Sequence, residues 1–432
     1  MRVRLAYGSG GLEVELPEER TTVVEPAYQP GAGDEGGVLR AALRRPVAGP
    51  PLRELVAPGQ TVAISICDGT RAQPRDRMIP AVLEELAGIV RDDDITILVA
   101  TGTHRGNTEE EIAAMLGPDL ADRFRVVGAG ERAVGAISVV NHDARDRDSL
   151  VFLGEHGRGV PVWLNRRWVD ADVRVTTGFV EPHFFAGFSG GPKLVAPGLA
   201  GLETVLVLHD ATRIGDPRAT WGVLEDNPVH ADIRASAAAA PPHFAFDVIL
   251  NREQRVIAAF AGELAPMHAA ACAAARELAM RPVPAAFDVV VTSNSGYPLD
   301  QNLYQAVKGM SAAAKVVKPG GLIVCAAECR DGFPGHGSYR ELLHAHPSPR
   351  EFLRTIAQSD HVTPDQWQVQ IQANIQDHAR VVMHTAHLSD AELGAVHLAQ
   401  TRDIAATVAA EGPRATVCVL PEGPQTIAYV SG

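Results

Sequence analysis

No stretch of this chain stays apolar for the roughly 20 residues that a membrane-crossing helix needs. The opening MRVRLAYGSGGLEVELPEER is charged and glycine-bearing and has no apolar secretion core. A cytoplasmic protein with no membrane partner is the expectation. Cysteine is scarce: five residues, at 67, 272, 325, 329 and 418, form an odd and scattered set unlike a disulfide framework. Cys325 and Cys329 share a C-x3-C spacing, but no second Cys or His pair follows at zinc-finger distance. Basic charge is also short. Lys and Arg total 39 against 52 Asp and Glu, a formal charge of −13, which argues against nucleic acid as the main partner, because phosphate binding needs a basic face. Familiar catalytic spacings are missing as well: no H-x3-H, no H-E-x-x-H and no cysteine cluster. The Gly-rich GAGERAVG has its glycines in a G-x-G-x-x-x-x-G pattern with no helical periodicity behind it, so a dinucleotide turn is not expected there.

What is present is an ordinary globular composition, 46% hydrophobic and 21% charged over 432 residues, long enough for two or three domains. VRLAYGSGGLEVELP alternates around a Gly-rich turn and reads as a hairpin. TVAISIC (61–67) and DITILVA (94–100) are short β-branched runs, with RDRMIPAVLEELAGIV between them at helical spacing. Strand, helix, strand with short links predicts a parallel sheet. Further strands are expected at FRVVG, ISVVN, LVFLG and DVRVTTG, and NTEEEIAAMLG carries a helix cap and an acidic first turn. An alanine-rich helix then ends in a Pro-containing link at 276–286. Beyond it strands (287–292, 321–326, 380–384) again alternate with helices (from about 302, from 348 and near 364). The expected fold is two α/β domains with mixed or parallel sheets and the active site in the cleft between them. The first spans 1–275 and the second 286–410, and the strand-like tail 411–432 is free to return to the first.

Open α/β sheets bind ligands just past the carboxyl ends of their strands. Asp68 and Arg71 (CDGTR), His104 (ATGTHR), His183 (EPHFF) and Tyr297 all fall at such ends. In EPHFFAGFSGGPKLVAPG, Lys193 sits among glycines, yet Pro192 precedes it and Leu194 follows, so the P-loop pattern of Gly-Lys-Ser/Thr fails. A lysine flanked by Pro and aliphatics is either a partly desolvated nucleophile or a surface residue on a tight loop. Gly187, Gly190 and Gly191 favour close approach of a ligand there. His104 and His183 could form an acid and base pair, because imidazole titrates near neutral pH. His209, alone, cannot hold a metal without ligands from elsewhere. Arg71 suits a bidentate grip on a carboxylate. In GYPLDQNLYQAVKG, Tyr304, Gln305 and Lys308 sit at helical spacing, and Lys308 is a second carboxylate candidate. Trp367, in PDQWQVQ, reads first as a core anchor.

Taken together, DGTR (68–71), ATGTHR (100–105), EPHFFAGFSGGPK (181–193), His209, GYPLDQNLYQAVKG (296–309) and Trp367 resemble the nickel-dependent lactate racemase family over most of the chain. The resemblance implies a racemase of 2-hydroxy acids that moves a hydride to a nickel-pincer nucleotide through a 2-keto acid. That cofactor is a pyridinium-3,5-bisthiocarboxylate mononucleotide nickel covalently joined to Lys193, with His209 the single protein ligand to nickel. His104 and His183 would be the opposed catalytic pair. Arg71, Lys308 and Gln305 would hold the substrate, Tyr304 and Trp367 would line its site, and Asp68, Gly190 and Gly191 would bind the cofactor. The implied partners are a small 2-hydroxy acid and the enzymes that make the cofactor. Cys67 stands before Asp68 where lactate-acting members usually carry serine, which puts strict lactate identity in doubt. Phe184 and Phe185 beside His183 could shape an apolar pocket for a larger aliphatic or aromatic substituent. An epimerase or oxidoreductase of sugar acids with the same cofactor, or a non-enzymatic nucleotide-binding homologue, are the alternatives.

Overall fold

The computed structural model describes residues 1–335, 337–359 and 361–431. The chain divides into two units. One comprises Tyr28–Leu208 and Val223–Arg276 and is called here the lysine unit. The other comprises Met1–Ala27, His209–Gly222 and Glu277–Gly432 and is called the terminal unit.

The lysine unit is built on a sheet in the order Val256–Gly262, Phe244–Leu250, Val173–Phe179, Val62–Cys67, Ile95–Ala100, Ile137–Asn141, Phe124–Val126. All neighbours run parallel except Val256–Gly262, which pairs antiparallel with Phe244–Leu250. VAISIC (62–67) is buried along its whole length, as a near-continuous apolar run in a parallel sheet covered on both faces should be. The helix Arg75–Leu86 buries Met78, Ile79, Val82, Leu83 and Leu86. They join Ile64, Ile66, Ile97 and Val99 in one core. From Val62–Cys67 the chain builds outward to one side with Ile95–Ala100 and to the other with Val173–Phe179. Their carboxyl ends therefore meet at a topological switch point, where open α/β sheets place their ligands.

The terminal unit has a parallel sheet in the order Ala399–Gln400, Arg380–His384, Val317–Ala326, Phe287–Ser293, Val417–Leu420, Thr21–Val23. The expected opening hairpin is present as Arg2–Leu5 paired antiparallel with Leu12–Glu15. Three segments depart from the expected layout. Residues 1–27, placed in the first domain by sequence, belong to the terminal unit, because Thr21–Val23 pairs with Val417–Leu420. The tail does not return to the first domain either. Val417–Leu420 is buried throughout and lies beside Phe287–Ser293, with Val291 opposite Val419. Finally, His209–Gly222 leaves the lysine unit for the terminal one before the chain returns at Val223.

One helix defies its own pattern. QWQVQIQ (366–372) alternates polar and apolar residues like a strand, yet Gln366–His378 is helical and Gln366, Gln368, Gln370 and Gln372 are all buried. Their amides are used: Gln368 donates to Tyr304 O, Gln370 to Ala211 O at 2.8 Å, and Gln372 accepts from the Tyr339 hydroxyl. Its first two turns, 366–373, are buried throughout and have no polar face to display, so their polar residues bond to neighbouring segments.

Candidate active site

The lysine unit brings the sequence candidates together in two pairs. Asp68 follows directly on Val62–Cys67 and is 3% exposed, and its Oδ2 lies 2.9 Å from His104 Nδ1. Thr70 Oγ1 donates to Asp68 Oδ1 at 2.8 Å. Burial alone would raise the Asp68 pKa. The hydrogen bond and charge of His104, the charge of Arg71 and the Thr70 hydroxyl outweigh it and hold the carboxyl below its usual range. Asp68 is thus an ionised partner that orients the His104 ring, a role the sequence reading did not give it. The turn that carries it is fastened by a residue that reading also missed: Arg75 Nη1 reaches the carbonyls of Asp68 and Arg71, each at 3.2 Å.

The second pair is His183 and Lys193. Pro182–His183 forms a two-residue ladder with Gly187–Phe188, and the Phe184 and Phe185 rings pack on His183 at 4.8 and 4.5 Å. Backbone N–H groups of Phe185 and Ala186 approach His183 Nδ1 at 3.5 and 3.3 Å. Nδ1 is therefore the ring's acceptor, and the proton of a neutral ring sits on Nε2, 3.2 Å from Lys193 Nζ. Lys193 rides on a 3-10 turn, Gly191–Leu194, and its Nζ lies 5.4 Å from the Phe185 ring centroid.

The glycines before that lysine have close neighbours of their own. Gly190 and Gly191 have φ of +70° and +51°, which favours glycine, and the positions their side chains would take face other residues of the protein. A Cβ at Gly190 would lie 2.6 Å from Asp247 Oδ2, and one at Gly191 would lie 2.5 Å from His268 Cδ2.

A buried polar chain ties the two pairs to each other. Gln73 Oε1 accepts from Cys67 N at 2.7 Å, and Gln73 Nε2 donates to Thr177 Oγ1 at 2.8 Å. Thr177 Oγ1 in turn donates to Ser65 O at 3.0 Å, and Ser65 Oγ to Leu194 O at 2.7 Å, beside Lys193. Gly102 N also bonds Gly198 O at 3.0 Å, so the His104 loop is fixed to the stretch after the lysine. The signal for Ser65, Thr177 and Asp247 was a polar residue inside an apolar strand run.

In the terminal unit, His209 is 6% exposed and its ring centroid lies 4.7 Å from that of Trp367. Trp367 is thus both a packed residue and the neighbour of the candidate metal ligand. Tyr304, Gln305 and Lys308 are half-buried on the helix Leu303–Ala314, capped by Asn302. Gly309 is required there: a Cβ would fall 2.1 Å from Ser293 O, so the helix seats directly on the end of its strand. Among the described residues no three His, Cys, Asp or Glu side chains converge as a metal site, and all five cysteines are free and buried. No described helix is long and apolar enough to cross a membrane.

Residues 7–222 match the family described as the lactate racemase N-terminal domain, and residues 283–428 its C-terminal domain. The lactate racemase of Thermoanaerobacterium thermosaccharolyticum is 35% identical over 390 residues, covering 89% of this chain and 88% of that protein. That of Lactiplantibacillus plantarum is 36% identical over 397 residues, 90% of each. The solved structure of the T. thermosaccharolyticum lactate racemase apoprotein superposes with a TM-score of 0.89 at 32% identity, over 99% of this chain and 100% of that one. A Thermotoga maritima protein of solved structure shares the fold alone, with a TM-score of 0.66 at 18% identity over 92% of this chain and 98% of that one. On this breadth of match, in both halves of the chain, the protein is an isomerase of the racemase class and belongs to the lactate racemase family.

Proposed function

We propose that the protein interconverts the two enantiomers of a 2-hydroxy acid, lactate or a relative with a larger aliphatic or aromatic side chain, using a nickel-pincer nucleotide carried on Lys193. The observation that carries this reading is the pairing of each imidazole with its own fixed partner, His104 with Asp68 and His183 with Lys193.

The donor chemistry fits such a cofactor. With no cluster of three ligating side chains among the described residues, a nickel ion needs most of its donors from outside the chain. A group that brings its own soft sulfur donors leaves a position for one imidazole, and His209 would fill it. Lys193 would hold the nucleotide by a covalent bond. When bound, the group supplies an acceptor for the substrate's C2 hydride, which no side chain here offers.

The remaining work falls to the chain's own residues. Asp68 accepts from His104 Nδ1–H and leaves Nε2 to take the hydroxyl proton of one enantiomer. Once its ring proton shifts from Nε2 to Nδ1, His183 would do the same for the mirror image, each ring returning a proton where the other removed it. An amine engaged in a covalent bond no longer occupies His183 Nε2. Arg71 and Lys308 would hold the carboxylate through the planar 2-keto stage, with Gln305 at the oxygen and Tyr304 and Trp367 lining the site. The five unbridged cysteines support a reducing compartment such as the cytoplasm. The partners are then the substrate and the enzymes that assemble the cofactor.

The test is co-expression with the cofactor-making enzymes, followed by mass analysis of the Lys193 peptide, nickel content and chiral chromatography from each pure enantiomer. A mass excess on Lys193, one nickel per chain and the same final mixture from both sides are expected. A free Lys193 amine in active, matured protein overturns the cofactor assignment. Turnover to a sugar-acid epimer or to a released keto acid selects the epimerase or oxidoreductase reading.

A further inference from the structure

The strand Phe244–Leu250 reads FAFDVIL, and its one charged residue, Asp247, is completely buried between apolar neighbours. Its Oδ2 accepts from Gly191 N at 2.6 Å, at the first residue of the turn that carries Lys193. Its Oδ1 has no hydrogen-bond partner. Room for the carboxyl is made by two glycines. Gly178, directly opposite in the ladder, would place a Cβ 2.9 Å from Oδ1, and Gly190 would place one 2.6 Å from Oδ2.

A buried carboxyl with one bond and one bare oxygen burdens the fold, and an apolar residue would suit a strand covered on both faces. Residues kept against the interest of stability tend to serve a site. We propose that Asp247 is the positioning residue of the lysine turn, holding Gly191 N–H so that Lys193 Nζ stays beside His183. Its functional meaning rests on the role of Lys193 given above. The geometry does not. Burial, opposed by the Gly191 hydrogen bond, pushes the Asp247 pKa up to about 7. The groups that face it are the Cys67 thiol, itself raised to about 12, and the Cys272 thiol, also raised, with His268 one helical turn before it. A neutral acid still accepts the Gly191 N–H, though less strongly than an ion, so the contact that places the turn persists in either protonation state.

The test uses the protein without cofactor. Competitive acetylation, read by mass spectrometry, compares Lys193 with Lys318, whose side chain is 46% exposed. Asp247→Asn keeps an acceptor and should leave the Lys193 rate within about twofold of wild type. Asp247→Ala removes it. The half-buried amine should then react at least about fivefold faster, and amide exchange should rise in peptides spanning 187–198 while 62–67 and 95–100 stay protected. If Asp247→Ala does not fold, Asp247→Val fills the strand position without an acceptor and serves the same purpose. A folded Ala or Val variant within twofold of wild type overturns the proposal, and so does an Asn variant that behaves like Ala. Neither measurement involves turnover, so a failure here is separate from a failure of the racemase reading, which would show as a free Lys193 amine in matured wild type.

Discussion

Replacing Asp68 by Asn keeps the shape of the side chain and removes the negative charge that faces His104 Nδ1 at 2.9 Å. The amide oxygen still accepts from the ring, so the tautomer survives and the loss is the charge assistance of the bond. Hydrogen bonds to charged groups contribute about 1.5–3 kcal/mol. At one decade per about 1.4 kcal/mol, that is roughly a 10- to 150-fold fall in kcat if the whole of it is expressed in the transition state. The His104 side chain is 43% exposed, so solvent screening moves the expectation to the lower end, about tenfold. The assay is the initial rate from each pure enantiomer, followed by chiral chromatography. Mirror-image substrates have an equilibrium constant of one, so kcat/KM must fall equally from both sides, while kcat and KM individually are free to split. A folded Asp68→Asn variant within twofold of wild type would refute the orienting role of Asp68. Unequal kcat/KM values from the two enantiomers would refute racemisation itself. The wild-type pH profile carries a further check. Because the Asp68 pKa is depressed, its contribution is present above the ordinary carboxylate value and is lost only as pH falls through the lower folded value. No acid limb from Asp68 should therefore appear between about pH 5 and 7.

Ser65→Ala strips the donor from Leu194 O inside the sheet and should lower unfolding stability by about 1–3 kcal/mol in a denaturant titration. An unchanged midpoint and slope would show that the contact is idle. Asp247→Asn should gain thermal stability relative to wild type as pH rises from about 4 to about 7. A carboxyl whose folded pKa is raised stabilises the fold at low pH and loses that contribution as it ionises, and parallel melting curves across that range would contradict the burial argument. His209→Ala should reduce retained nickel at least about tenfold after dialysis while the Lys193 peptide keeps its mass excess. Full nickel retention would place the protein ligand elsewhere.

Much of the site was legible because its residues sit where short strands stop. Asp68 follows the buried run VAISIC, His104 lies just beyond ITILVA, and His183 follows VRVTTGF. What could not be read is held by contacts between residues far apart in the chain. Asp247 meets Gly191 across 56 positions, and Ser65 meets Leu194 across 129. No local pattern marks such a bond, apart from the oddity of a polar residue in an apolar strand. The glycines around Lys193 carry a related signal: an absent side chain shows that something is close, and Asp247 and His268 stand where the Gly190 and Gly191 side chains would be. The 209–222 excursion left no composition shift to betray it.

The strand pairing of Thr21–Val23 with Val417–Leu420 also bears on how the protein is made. On the ribosome the lysine unit has all of its strands once residue 276 has emerged, and it is free to close while synthesis continues. Thr21–Val23, by contrast, is made long before Val417–Leu420, the strand it pairs with. A chain halted between those points would leave Thr21–Val23 and the near edge of Phe287–Ser293 without the strand that joins them, an open edge ready to pair elsewhere.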